Sequence, residues 1–170
     1  SNRAILTLAD ASGWPREAFV ARMNEKAREL GMADAVFVEP TGLDAGNMAS
    51  AADVALLLRA ALAERKIQET VVMREFTALP TGGGPNHLWS TNWLLLRWIP
   101  HTLHTIHGGK TGYITASGYN FTVSVGDAAG HTIDVVVLGA KTHEARFSEA
   151  RDIADWVLNH YHWPETASTT

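Results

Sequence analysis

The sequence predicts an α+β fold, and three observations carry that prediction. Apolar residues recur at helical spacing in the segments before about residue 64. Between Gly112 and Leu138 the pattern changes to strict alternation followed by a nearly continuous apolar run, with a short turn between. Helical spacing then returns after Thr142. Helices first, antiparallel strands next and a closing helix describe segregated layers rather than repeated βαβ units.

The first helix is expected from Arg3 to Ala11, with Ile5, Leu8 and Ala9 on one side, and Ser12-Gly13-Trp14-Pro15 breaks it. Pro15 opens a second helix, where its missing N–H is harmless. Phe19, Met23, Ala27 and Leu30 form the core stripe of that helix, and Gly31 stops it. A brief apolar run, Val36-Phe37-Val38, leads into turn chemistry from Glu39 to Asp44. Ser50-Ala51-Ala52-Asp53 reads as a capping box that starts a helix through Val54, Leu57, Leu58 and Ala61 to about Glu64. Ile67 to Met73 predicts a further turn or two of helix, and Arg74 to Leu79 a weak strand. Thr81 to Pro85 is a loop. No Lys-Ser/Thr pair follows its glycines, so it is no phosphate cradle. Asn86 to Trp98 holds three of the six tryptophans, and Pro100 ends it.

Tyr119, Phe121, Val123 and Val125 alternate with Asn120, Thr122 and Ser124, which is the signature of a strand. Asp127 to Gly130 supplies a hairpin connection. Thr132 to Leu138 is apolar enough to predict a central strand buried on both faces. In the last helix Phe147, Ala150, Ala154, Val157 and Leu158 share a face, and a tail begins at Pro164. One domain over 1–163 and a tail over 164–170 is the expected organisation, because 170 residues can bury one real core.

Composition excludes several functions. The formal net charge is −4 and the 14 basic residues are scattered, so no nucleic-acid surface is expected. Cysteine is absent, which removes disulfides, thiol catalysis and Cys-type zinc sites and fits an oxidising compartment. No apolar run approaches the roughly 20 residues of a membrane span. The start at Ser1, with an amphipathic pattern almost at once, reads as a processed or truncated N-terminus.

Chemistry concentrates at Lys110-Thr111-Gly112. On a strand, Lys110 and Gly112 share one face and Thr111 takes the other. A hydroxyl beside an ammonium suits a carboxylate, since charge-assisted hydrogen bonds are the strong ones. Gly112 admits another backbone closely. Together these describe an edge strand able to hold an extended ligand with an anionic end, although the commoner reading of such a tripeptide alone is a solvated strand start.

Other constellations are weaker. His101, His104 and His107 recur every third residue, but Pro100 and Gly108-Gly109 argue against the helix that would gather them on a metal. No metal and no cofactor is therefore expected. No Gly-x-Ser-x-Gly elbow occurs, and no Ser or Thr is followed by Lys three positions later. Asp10, Glu17, Glu25, Glu29, Asp53 and Glu64 all fit solvated helix faces.

Phe19 to Asn24, Leu30-Gly31-Met32, Phe37 to Leu43, Ala51 to Leu57, Thr91 to Leu95 and Gly109 to Asn120 follow in order, with Arg146 and Trp156 on the last helix. Together these stretches resemble the D-alanyl-D-alanine carboxypeptidase family of low-molecular-mass penicillin-binding proteins. Glu39 to Leu43 and Asn2-Arg3-Ala4 look most like the endopeptidase-type branch. The resemblance implies a penicillin-binding-protein/β-lactamase-like antiparallel sheet with flanking helices. In that family Ser-x-x-Lys, Ser-x-Asn and Lys-Thr-Gly follow in order.

By resemblance, Lys110, Thr111 and Gly112 bind the substrate's terminal carboxylate, and the Tyr113 backbone N–H is an oxyanion donor. Asn2 is the Asn of the second motif, and Arg146 helps to orient the carboxylate end. Ser-x-x-Lys is absent from the chain, and the serine of Ser-x-Asn would fall one position before Ser1. The expectation is thus a domain lacking its N-terminal strands and nucleophile helix, inactive alone, whose three-stranded sheet is completed by an N-terminal segment or another copy of the chain. The implied partners are peptidoglycan stem peptides and β-lactams, in the periplasm or at the extracytoplasmic cell surface, with membrane attachment outside this segment allowed. A non-catalytic peptide-binding or scaffolding relative, or a β-lactamase-like hydrolase, is the alternative.

Overall fold

The computed structural model describes residues 2–164. Four helices come first: α1 (Asn2–Ala11), α2 (Arg16–Glu29), α3 (Ala51–Ala63) and α4 (Arg65–Val71). Then follow β1 (Glu75–Ala78), β2 (Asn86–Trp89), β3 (Thr105–Ile114), β4 (Gly118–Gly126), β5 (Thr132–Ala140) and α5 (Ala145–His160). The expected α+β arrangement of an antiparallel sheet flanked by helices is present. Ser1 and residues 165–170, most of the expected tail, lie outside the described residues.

The helix boundaries have local causes. Gly31 sits at φ +78°, and the N–H groups of Gly31 and Met32 return to the Arg28 and Ala27 carbonyls. That double return satisfies the last carbonyls of α2 and turns Met32 into the interior. At the start of α3 the Ser50 hydroxyl accepts from the Asp53 N–H, while the Asp53 carboxylate accepts from the Ser50 N–H at 3.0 Å. Asp53 is buried by this capping box, so it is not the solvated carboxylate its sequence context suggests.

β1 and β2 form a separate two-stranded hairpin, with Glu75 opposite Trp89 and Ala78 opposite Asn86. The main sheet has the order β3-β4-β5, antiparallel throughout. β4 is therefore the central strand, and every residue from Phe121 to Gly126 is buried. The stretch expected as a central strand over Thr132 to Leu138 is β5, which has one strand neighbour, β4, among the described residues. Its apolar run is explained by α5 and α3, which pack on its two faces.

The core lies between the sheet and α5. Phe121, Val123 and Val125 of β4, with Val135 and Val137 of β5, meet Phe147, Ala150 and Ala154 of α5. Leu94, Ile99 and Leu103 close its margin. The α2 stripe behaves differently from expectation: only Ala27 is fully buried. Phe19, Met23 and Leu30 instead line an apolar groove of about 340 Å³ with Phe37 and Leu57.

β3 is bent by a bulge between Ile106 and Gly108. Gly108 has φ +150°, and a Cβ there would come within 2.5 Å of Val71 and 2.8 Å of Leu62. Glycine thus lets α3 and α4 press directly on the strand.

The Glu39 loop is built around one carboxylate. Glu39 accepts from the N–H groups of Thr41, Gly42 and Leu43, from the Thr41 hydroxyl and from Asn47 Nδ2. Desolvation would raise its pKa, but these hydrogen bonds to the charged form outweigh it and hold the group at about 2. A carboxyl whose folded pKa is depressed contributes stability above its ordinary value of 4.5, and that contribution disappears as pH falls towards 2. Chemical denaturation between pH 5 and 2 is expected to show a loss of stability that Glu39→Gln, already weakened, largely lacks.

Candidate functional site

β3 pairs with β4 on one side only, so its other edge is open among the described residues. That edge carries Lys110 and Thr111. Lys110 stands opposite Thr122, and Thr111 opposite the core residue Phe121, so the two side chains leave the strand on different faces. Both nevertheless line one cavity of about 490 Å³ between β3, the Ser90–Asn92 turn and the β1–β2 hairpin. Its far wall is apolar, formed by Val71, Met73, Phe76, Leu88 and Trp89.

The Lys110 ammonium donates to the Thr111 carbonyl. Desolvation by the protein around it, and then the positive charge of Arg146, lower the pKa of this surface ammonium. A cation held this way gains from any anion that enters the cavity. The Thr111 and Thr91 hydroxyl oxygens lie 2.9 Å apart.

Gly112 begins a second cavity, of about 620 Å³, which it shares with Tyr113, Asn120 and the Asp44–Met48 turn. A Cβ at Gly112 would meet only the Asn120 side chain, at 3.7 Å. The expected close backbone approach at Gly112 is thus not made by the described residues. On this strand the tight positions are Gly108 and Gly109; at Gly109 a Cβ would lie 2.7 Å from the Thr122 carbonyl.

Arg146 sits under this strand, 4% exposed. Its Nη1 donates to the Gly112 carbonyl at 3.2 Å and to the Asn120 carbonyl at 3.5 Å, and its Nη2 to His143 Nε2 at 2.7 Å. The guanidinium also lies 4.7 Å from the Phe147 ring centroid and 5.5 Å from that of Tyr119. The structure therefore spends Arg146 on the backbone of β3 and β4 rather than aiming it at an open carboxylate site. His143 accepts the Arg146 bond in its neutral form. Desolvation and the Arg146 charge both lower its pKa.

The remaining predicted residues are placed as follows. Tyr113 stacks its exposed ring on Tyr119 at 4.4 Å and follows directly on Gly112. Asn2 opens α1, which packs on α2, and no hydrogen bond joins it to Lys110 or Thr111 among the described residues. The three histidines go to separate partners: His101 to the Leu94 carbonyl, His104 to Thr105 and His107 to Thr132.

Comparison with known proteins decides the family. The profile of the D-alanyl-D-alanine carboxypeptidase family matches residues 1–142. The chain belongs to that family.

The D-alanyl-D-alanine carboxypeptidase DacC of Escherichia coli is 32% identical over 160 residues, covering 91% of this chain and 37% of the relative. The D-alanyl-D-alanine endopeptidase of the same organism is 31% identical over 164 residues, covering 92% of this chain and 49% of the relative. A crystal structure of a D-alanyl-D-alanine carboxypeptidase from Mycobacterium tuberculosis superposes with a TM-score of 0.80 at 26% identity, covering 95% of this chain and 60% of that one. Penicillin-binding protein D2 of Listeria monocytogenes, in its cefotaxime-bound form, gives 0.66 at 28% identity, covering 81% and 53%. The chain thus spans between about a third and a half of the length of these curated relatives.

Two residues of the site were not legible as such in the sequence. Thr91 appeared only within a family-like stretch, and nothing in its spacing announced a contact with Thr111 twenty positions on. His143 stands three residues before Arg146, a separation that brings side chains together on one helical turn, and this was the available signal.

Arg146→Ala is expected to lower global stability by about 1–3 kcal/mol, the usual range for losing hydrogen bonds from a charged group. It should also speed amide hydrogen exchange selectively along Lys110–Tyr113. Exchange there that matches the rest of β3 would count against Arg146 as the strand's support.

Proposed function

We propose that this chain forms the ligand-gripping part of a serine-type D-alanyl-D-alanine carboxypeptidase or endopeptidase that acts on peptidoglycan peptides through an acyl-enzyme and binds penicillins. The observation that carries the reading is that Lys110 and Thr111 together line one cavity at the open edge of β3. A cation and a hydroxyl at the margin of an apolar-walled cleft suit the free carboxylate of a peptide that otherwise lies extended.

The strand's hydrogen bonding supports the same reading. Arg146 reaches both the Gly112 and the Asn120 carbonyls, so both lie between β3 and β4. Antiparallel alternation then turns the backbone groups of Thr111 and Tyr113 outward, to the open edge. An extended peptide adding to that edge finds the Thr111 N–H, and a Thr111 C=O that already accepts from the Lys110 ammonium, while the Tyr113 N–H faces the side where an oxyanion would develop.

In this mechanism a serine attacks the carbonyl carbon of the penultimate D-Ala. The carbonyl oxygen takes the negative charge and is held by the Tyr113 N–H and the N–H of the nucleophile. The C–N bond breaks, the terminal residue leaves with a proton, and water hydrolyses the resulting ester. No serine or threonine of this chain has a lysine three positions on, so the nucleophile and its base belong outside these residues. Asn2 is assigned to the second motif and Arg146 to holding Gly112 in register. Two of the relatives are named for carboxypeptidase and endopeptidase activity, and a related structure holds cefotaxime. A wall-facing, extracytoplasmic location follows from that substrate.

The test is acylation of the intact protein that carries this chain by a fluorescent penicillin. Lys110→Ala and Thr111→Val should each lower the second-order acylation rate roughly 30- to 1,000-fold, the effect of losing an oriented donor in a water-poor site. Wild-type rates in both variants would remove the assignment. Failure of the unaltered intact protein to acylate would favour a non-catalytic peptide-binding module.

A further inference from the structure

Thr91 lies across the open edge of β3 from Thr111, hydroxyl oxygen to hydroxyl oxygen, at 2.9 Å. Its place is enforced by the turn that carries it. The Asn92 N–H donates to Ser90 Oγ at 3.2 Å, and Asn92 Oδ1 accepts from the N–H groups of Leu94 and Leu95 at 3.1 and 3.2 Å. Asn92 and Leu94 are buried, which anchors the turn in the core. The Ser90 N–H returns to the Arg74 carbonyl at 2.8 Å and ties the same turn to the start of β1. Gly109 completes the fit, since a Cβ there would stand 3.2 Å from Asn92 Nδ2. Thr91 is therefore held against Thr111 from three directions.

A hydroxyl has one proton and two lone pairs. The pair can bond in two senses, and they differ in what Thr111 offers a ligand. If Thr111 donates to Thr91, its proton is used and only lone pairs face the cavity, which repel an anion. If Thr91 donates to Thr111, the Thr111 proton is free to point at a carboxylate. An anion next to the Lys110 ammonium selects the second sense, and a chain of two hydroxyls polarises along its length.

We propose that Thr91 is a positioning residue: it donates to Thr111 and thereby sets the Thr111 hydroxyl as a donor to carboxylate-ended ligands, making the site selective for a free acid over its ester. This inference rests on the proposed function, because it presumes that Thr111 meets the ligand's carboxylate.

The experiment compares Thr91→Val, Thr91→Ser, Thr111→Val and the Thr91→Val/Thr111→Val double variant in the intact protein. Acylation is measured with a penicillin carrying its free carboxylate and with the methyl ester of the same compound, and thermal melting checks each fold. Thr91→Val should slow acylation by the free acid about threefold to tenfold, as one neutral hydrogen bond predicts, and leave the ester unchanged. Thr91→Ser should restore the acid rate, and the double variant should be no slower than Thr111→Val alone. Equal losses on acid and ester, or wild-type rates in Thr91→Val while Thr111→Val is impaired, would overturn the inference. A silent Thr111→Val would instead bring down the proposed function beneath it.

Discussion

The buried guanidinium of Arg146 is the interaction on which the site depends. A cation inside a protein is costly unless its donors are satisfied, and no carboxylate pairs with Arg146 among the described residues. Two backbone carbonyls, the neutral face of His143 and the Phe147 and Tyr119 rings take that place. Nε alone finds no partner among the described residues, and the bonds of the two Nη groups form only when α5, β3 and β4 are in one register. The same bonds that relieve the charge therefore fix the height of Gly112, and with it the backbone on either side. Its positive charge also reaches Lys110, so the strand's support and its exposed cation act on each other.

That link explains why the site can lie at a sheet edge without being loose. Edge strands offer unpaired N–H and C=O groups and are prone to pair with whatever is near. Here β3 is held from behind by β4, from below by Arg146 and, at its glycine bulge, by Val71 and Leu62. The hairpin of β1 and β2 stands beside the edge rather than on it and leaves a cavity instead of a continued sheet. What remains open is a short length of backbone with a cation and a hydroxyl at one end.

Much of this was legible in the amino-acid order. The capping box at Ser50, the Gly31 stop and the alternation from Tyr119 to Val125 each have one dominant local cause, and each formed as expected. Lys110-Thr111-Gly112 was legible as a possible carboxylate grip because three residue types in a row state the chemistry directly. The rank of the strands was not. An apolar run such as Thr132 to Leu138 reports cover on a strand's faces, which α3 and α5 supply, and says nothing of how many strands flank its edges; among the described residues β4 has two strand neighbours and β5 one. Asp53 looked solvated because a capping carboxylate and a surface carboxylate are the same letter. Arg146 was expected near the ligand, and only packing shows it donating to main-chain carbonyls instead. The Thr91–Thr111 contact depends on a turn whose shape is set by a buried asparagine, which no periodicity reports.

The most direct measurement is a crystal structure of the intact protein bound to a peptide ending in D-Ala-D-Ala. The terminal carboxylate is expected within hydrogen-bond distance of Lys110 Nζ and Thr111 Oγ1, with the peptide extended along the outer edge of β3. A peptide seated with its carboxylate in the apolar end of the cavity, or elsewhere with Lys110 and Thr111 untouched, would contradict it.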